Sequence, residues 1–192
     1  MESDHRDPRA RSSWPKVRLL THHHTSRLDV RLEPWGTNDL PLLERLNEPD
    51  MTTHVGGPET LDKVAERQAG YEKPGSRQYT IVEPGGEHIG WVGYWELTWR
   101  DQDVWETGWA VVPAFQGRGV AGSATGQMLE IARAERLRRF VHAYPMTVNA
   151  PSNAICRKLG FEFVEETDFP ARGGGFVRCN DWRFDLFGDP GP

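Results

Sequence analysis

The chain has 192 residues, of which 37% are hydrophobic and 27% charged. That is enough for one ordinary domain with a sizeable core, and too apolar for a mainly disordered chain. With 23 Lys plus Arg against 28 Asp plus Glu the formal net charge is -5, which argues against a nonspecific nucleic-acid binder. Two cysteines, Cys156 and Cys179, make neither a disulfide framework nor a metal quartet. No apolar run approaches the roughly 20 residues that span a bilayer, and the charged N-terminus has no signal-peptide core. The sequence therefore predicts a cytoplasmic protein with no nucleic-acid, membrane or metal partner.

From Met1 to Arg27 the residues are polar, with scattered apolar ones, and a flexible arm is expected over 1–27. His22, His23 and His24 lie in it, but three consecutive side chains point in different directions and read as a polar tail. Alternation at Leu28, Val30 and Leu32 predicts a strand stopped by Pro34, so the folded domain is expected over 28–187 and a loose end over 188–192. Leu40, Leu43 and Leu46 predict a short helix capped by Thr37 or Asn38 and ended by Pro49, and a second helix is expected from Glu59 to Tyr71. Strands are predicted at Arg77–Glu83 and His88–Trp99 around the Pro84-Gly85-Gly86 turn, and again at Val104–Val112.

Val120, Ala124, Met128, Ile131 and Ala132 fall at helical spacing between Gly119 and Arg136. A short strand follows at Phe140–Tyr144, then a helix at Ser152–Leu159 stopped by Gly160, and strands near Phe161–Glu165 and Phe176–Leu186. Trp91, Trp95 and Trp99 share one strand face by period-two spacing, as do Trp105 and Trp109 on the next, which predicts a single aromatic sheet face. Part of that face is a candidate lining for an apolar acceptor pocket.

The informative segment is Gln116-Gly117-Arg118-Gly119-Val120-Ala121-Gly122, set between a strand and a helix. Its glycines allow close approach of a ligand, the helix start leaves N–H groups unpaired, and Arg118 adds a charge suited to a diphosphate. It is neither a nucleotide P-loop nor a dinucleotide fingerprint, because the required lysine and glycine spacings are missing.

Gln116, Gly119 and Ala121 match the pyrophosphate signature of the GNAT superfamily of acyl-CoA-dependent N-acetyltransferases, which the sequence resembles. The Glu106–Pro113 stretch looks like that family's fourth strand. Asn149, Ser152 and Lys158-Leu159-Gly160-Phe161 look like its second CoA-contacting element, in the version of the ribosomal-protein and protein N-terminal acetyltransferase branch. The resemblance covers about Leu28 to Leu186.

It implies an α/β (α+β) fold, a mixed, mostly antiparallel central sheet flanked by helices. It also implies a slot at the end of the fourth strand, where backbone groups of Val111 and Val112 pair with pantetheine and residues Gln116, Gly117, Arg118, Gly119, Val120, Ala121 and Gly122 hold the pyrophosphate. Asn149 and Ser152 would bond further along acetyl-CoA, and Glu106 would act as the base on an amine acceptor, a small molecule or a peptide N-terminus. A homodimer is compatible with this reading. Alignment on Gly160 and Phe161 puts Cys156 where many relatives carry a tyrosine general acid, so no acid is assigned; Tyr144, Ser152 and solvent are the alternatives. The departure also keeps open a noncatalytic acyl-CoA sensor on the same fold.

Overall fold

The computed structural model describes residues 28–171 and 174–188. The arm expected over 1–27, its histidine run and the last four residues of the expected loose end lie outside the described residues. The chain folds as strand β1 (Arg31–Pro34), helix α1 (Leu40–Leu46), a one-turn helix α2 (Pro49–Thr52), helix α3 (Leu61–Tyr71) and strands β2 (Gln78–Val82), β3 (His88–Trp99) and β4 (Gln102–Val111). Then come helix α4 (Val120–Glu135), strand β5 (Phe140–Ala143), helix α5 (Ala150–Leu159), and strands β6 (Glu162–Pro170) and β7 (Phe176–Asp185). Among the described residues no helix is long and apolar enough to cross a membrane.

The seven strands form one sheet in the order β1-β2-β3-β4-β5-β7-β6. Every pair is antiparallel except β4 with β5, which run parallel. Helices cover both faces, as the sequence predicted. On one, Tyr71 of α3 stacks on Trp91 of β3 at 5.8 Å. On the other, Glu135 of α4 bonds Arg77 at 2.8 Å, and the Arg77 guanidinium lies 4.5 Å over the buried Trp105 ring. The core between them holds Ile81, Ile89, Val92, Val120, Met128 and Val141, all at most 2% exposed.

Three expectations are corrected. Pro49 does not end a helix but opens the next, since a proline lacks only an N–H that the first turn leaves unbonded anyway. The sixth strand does not stop at Glu165 but runs to Pro170, because its polar residues pair across to β7 and Arg178 reaches Glu166 and Asp168. The tryptophans do not share one face: the register sets Trp105 opposite Glu96 and Trp109 opposite Val92, on the side away from Trp91 and Trp95. Period two predicts which residues of a strand agree, but only the pairing between strands says which sets agree with each other.

Candidate functional site

β4 and β5 pair only at Trp105–Val141 and Glu106–His142, after which β4 continues to Val111 paired with β3 alone. Beyond Glu106 the sheet therefore forks in its middle. The fork opens a cleft of about 280 Å³, walled by Glu106, Thr107, Gly108 and Ala110 on β4, by Tyr144 and Pro145 after β5, and by α1, α3 and β6 residues. Ladder bonds alternate in an antiparallel pair, and the Val112 N–H is given to the Ile89 carbonyl at 2.9 Å. The groups of Trp109 and Val111 thus face the fork, while those of Val112 face β3. The expectation that Val111 and Val112 both offer backbone to a ligand is corrected on this ground. Even the Val111 carbonyl accepts from Gln116 Nε2 at 2.8 Å, leaving the N–H open.

That bond also shows what the Gln116 side chain does: it ties the glycine turn to the end of β4. Gly117 and Gly119 take positive φ values of 70° and 78°, which glycine adopts without strain, and Gly119 is the N-cap of the sixteen-residue α4. Glycine brings no capping side chain, and the first intrahelical N–H given in the turn is Ser123 to the Gly119 carbonyl. The N–H groups of Val120, Ala121 and Gly122 thus point out of the helix start with its partial positive charge. A Cβ built on Gly117 or on Gly122 would meet nothing within 4 Å, so the space before the turn is open. Arg118 is half-buried, its guanidinium 5.4 Å over Phe115. Val120 contributes backbone alone, its side chain being 2% exposed.

Asn149 and Ser152 line the cleft and are bonded to each other, the Ser152 N–H giving to Asn149 Oδ1 at 3.2 Å as the cap of α5. Glu106 sits half-buried at the point of the fork and accepts from Trp95 Nε1 at 2.9 Å. The structure thus brings Glu106, Asn149 and Ser152 into one cleft, and sets residues 116–122 outside its lining, past the far end of β4.

Cys156 is fully buried in the core and does not line the cleft; burial pushes its thiol up to about 12. Tyr144 does line it, stacked on Phe169 at 4.0 Å, with a buried hydroxyl that has no hydrogen-bond partner among the described residues. Burial first, then the charges of Asp181 and Glu106, hold that hydroxyl protonated well above the usual tyrosine range.

Two supports escaped the sequence reading. His142 Nδ1 lies 2.6 Å from Asp181 Oδ1, both nearly fully buried, and Trp99 Nε1 gives to Asp181 Oδ2 at 3.1 Å. Asn153 gives Nδ2 to the carbonyls of Met146 and Asn149, at 2.9 and 2.8 Å, while its Oδ1 accepts from Asn180 and Trp182. It thereby pins the cleft wall after β5 to β7. Both depend on the β5–β7 register, and nothing local in the sequence signals them.

Residues 29–162 match the family described as the acetyltransferase (GNAT) domain. A GNAT-family acetyltransferase from Bacillus anthracis superposes with a TM-score of 0.70 at 14% identity, over 85% of this chain and 99% of that one. The protein yncA of Salmonella typhimurium, solved with its cofactor acetyl-CoA, gives 0.67 at 21% identity over 87% and 98%. The aminoglycoside acetyltransferase AAC(6')-Ib, in complex with coenzyme A, gives 0.66 at 18% identity over 82% and 95%. Likenesses at this identity speak for the fold. No curated protein matches the chain in sequence.

Proposed function

The chain belongs to the acetyltransferase (GNAT) family, and from that premise we propose that it moves an acetyl group from acetyl-CoA to a primary amine of a small molecule or peptide N-terminus. The observation that carries the reading is the fork itself. A forked strand has a carboxylate at its point and, beyond five residues of about 3.3 Å each and a glycine turn, an open helix start. This suits an extended thioester with a diphosphate at its far end.

In this reading the turn from Gln116 to Gly122 receives the pyrophosphate, the open space before Gly117 and Gly122 being the fit. The N–H groups of Trp109 and Val111 pair with the pantetheine amides as an added strand would. Asn149 Nδ2 and Ser152 Oγ bond the same arm from the opposite wall. The domain runs from Leu28 to Phe187, and the Asn149, Ser152 and Lys158–Phe161 elements favour the ribosomal-protein and protein N-terminal branch.

The chemistry asks three things of the chain. Glu106 takes a proton from the ammonium form of the acceptor, directly or through water, freeing the nitrogen lone pair to attack the thioester carbonyl. The carbon–nitrogen bond forms, the carbon–sulfur bond breaks, and the nitrogen, cationic once it has attacked, gives its second proton to solvent. The departing thiolate needs a proton, and the Tyr144 hydroxyl, by its place in the cleft wall, is the candidate donor. The aromatic walls exclude water, which keeps the thioester from hydrolysis.

A second reading, a noncatalytic acyl-CoA sensor, draws on one observation: Cys156, in the place of the expected tyrosine, is shut in the core. A thiol-release assay with acetyl-CoA over an amine panel, beside calorimetry with CoA, separates the two. Amine-dependent release supports the transferase; tight CoA binding with no release under any amine overturns it in favour of the sensor.

A further inference from the structure

The rings of the cleft stand in two groups about Glu106. On one side Tyr71, Trp91 and Trp95 form a run of nearly parallel rings, 5.8 and 6.2 Å apart with interplanar angles of 6° and 18°. Both indoles lean over Gly108, where an added Cβ would come within 3.1 Å of Trp95 and 3.2 Å of Trp91. Only glycine lets them lie so flat against β4. On the other side Tyr144 and Phe169 stack at 4.0 Å and 15°. Trp95 and Phe169 are half-buried rather than shut in the core, so each group shows a ring to the cleft.

Charge is sparse by comparison. Among the described lining residues the acids are Glu59 and Glu106, and Glu59 is held against Arg67, whose Nε gives to Glu59 Oε2 at 2.8 Å. Arg67 also gives to the Tyr71 hydroxyl at 3.3 Å, and Asn47 clamps the Glu59 backbone from both sides at 2.8 and 2.9 Å. A polyaminated sugar would need several carboxylates to replace its hydration, and an anionic amine would find Arg67 held by Glu59 and, among the other described lining residues, His54 alone to meet it. Flat apolar bodies find ring faces, and one ammonium finds both a carboxylate and the negative faces of the indoles.

We infer that the acceptor is a monocationic primary amine carried on a flat apolar body, of arylalkylamine type, its ring against Trp95 and Phe169 and its nitrogen turned to Glu106. The inference rests on the transferase reading, and its test keeps the two apart. Thiol release is measured with acetyl-CoA and 2-phenylethylamine, tryptamine, n-butylamine, spermidine, kanamycin and a phosphonate-bearing amine.

The aromatic amines should exceed n-butylamine in kcat/KM by about 10-fold or more, and the polycations and the anion should lag further. Phe169→Leu, which stays apolar but loses the ring, should lower the aromatic-to-aliphatic ratio through KM, with calorimetric CoA affinity reporting that the variant is folded. Equal or better turnover of n-butylamine, spermidine or kanamycin overturns the inference and leaves the transferase reading standing. No release with any amine, despite CoA binding, overturns both.

Discussion

Trp95 and Glu106 face each other across the β3–β4 pair, and the indole N–H gives to the carboxylate at 2.9 Å. The bond is charge-assisted, and it fixes the carboxylate where the sheet divides. A glutamine at 106 would still accept from the indole through its amide oxygen, so Glu106→Gln removes the base and keeps the contact. Turnover of a good amine should fall by roughly 10² to 10⁴ with CoA affinity little changed. The loss should shrink as pH rises, because more of the amine then arrives neutral. Steady-state rates from neutral to alkaline pH check both points, and normal turnover at neutral pH would make Glu106 a structural residue.

Gly122 offers a test of the phosphate cradle in which stability and binding move in opposite directions. It lies in the first turn of α4 with open space where a side chain would go. Gly122→Glu should stabilise the fold by up to about 1 kcal/mol, through backbone entropy and the helix dipole. The same carboxylate would repel a diphosphate, and CoA affinity should fall by about 10-fold or more. Unchanged affinity in a folded variant would remove the cradle assignment. Gly119→Asp is a poorer probe, because its positive φ adds backbone strain.

Tyr144→Phe deletes a hydroxyl that is buried without a partner among the described residues. Stability should hold or rise, since no hydrogen bond is lost. If that hydroxyl protonates the thiolate, kcat should drop by about 10²-fold. A melting curve beside a rate measurement reads both signs, and a folded variant with wild-type kcat would leave protonation to solvent.

Asn153→Ala removes four hydrogen bonds at once and strands the Trp182 and Asn180 donors in the interior. A cost of about 2 to 4 kcal/mol is expected. Chemical denaturation measures it. A cost under about 0.5 kcal/mol would show that the wall after β5 does not depend on this side chain.

Much of this site could be seen in local sequence, because its signals are local. Gly117 and Gly119 take the positive backbone angles that favour glycine, and Asn149 is spaced three residues from Ser152 as a cap requires. His88–Trp99 is buried on both faces through Tyr94 and alternates only from Trp95, and it is one strand as expected. What stayed hidden depends on register between distant strands. The tryptophans divide between faces because β3 and β4 meet with Trp95 opposite Glu106, a pairing that no single strand encodes. Tyr144 lies by Phe169, His142 by Asp181 and Asn153 under Trp182 for the same reason: β7 returns between β5 and β6.

The fork has a cost outside catalysis. A sheet that parts in its middle carries an edge where other proteins have none, and unpaired strand edges are where chains join end to end and aggregate. Here that edge lies inside a cleft lined by bulky rings, which narrow the approach of a neighbouring strand without closing it. If pantetheine fills it, each bound CoA closes the seam as well as supplying the acyl group. Prolonged incubation without CoA should then raise light scattering faster than incubation with it, even where both samples begin fully folded.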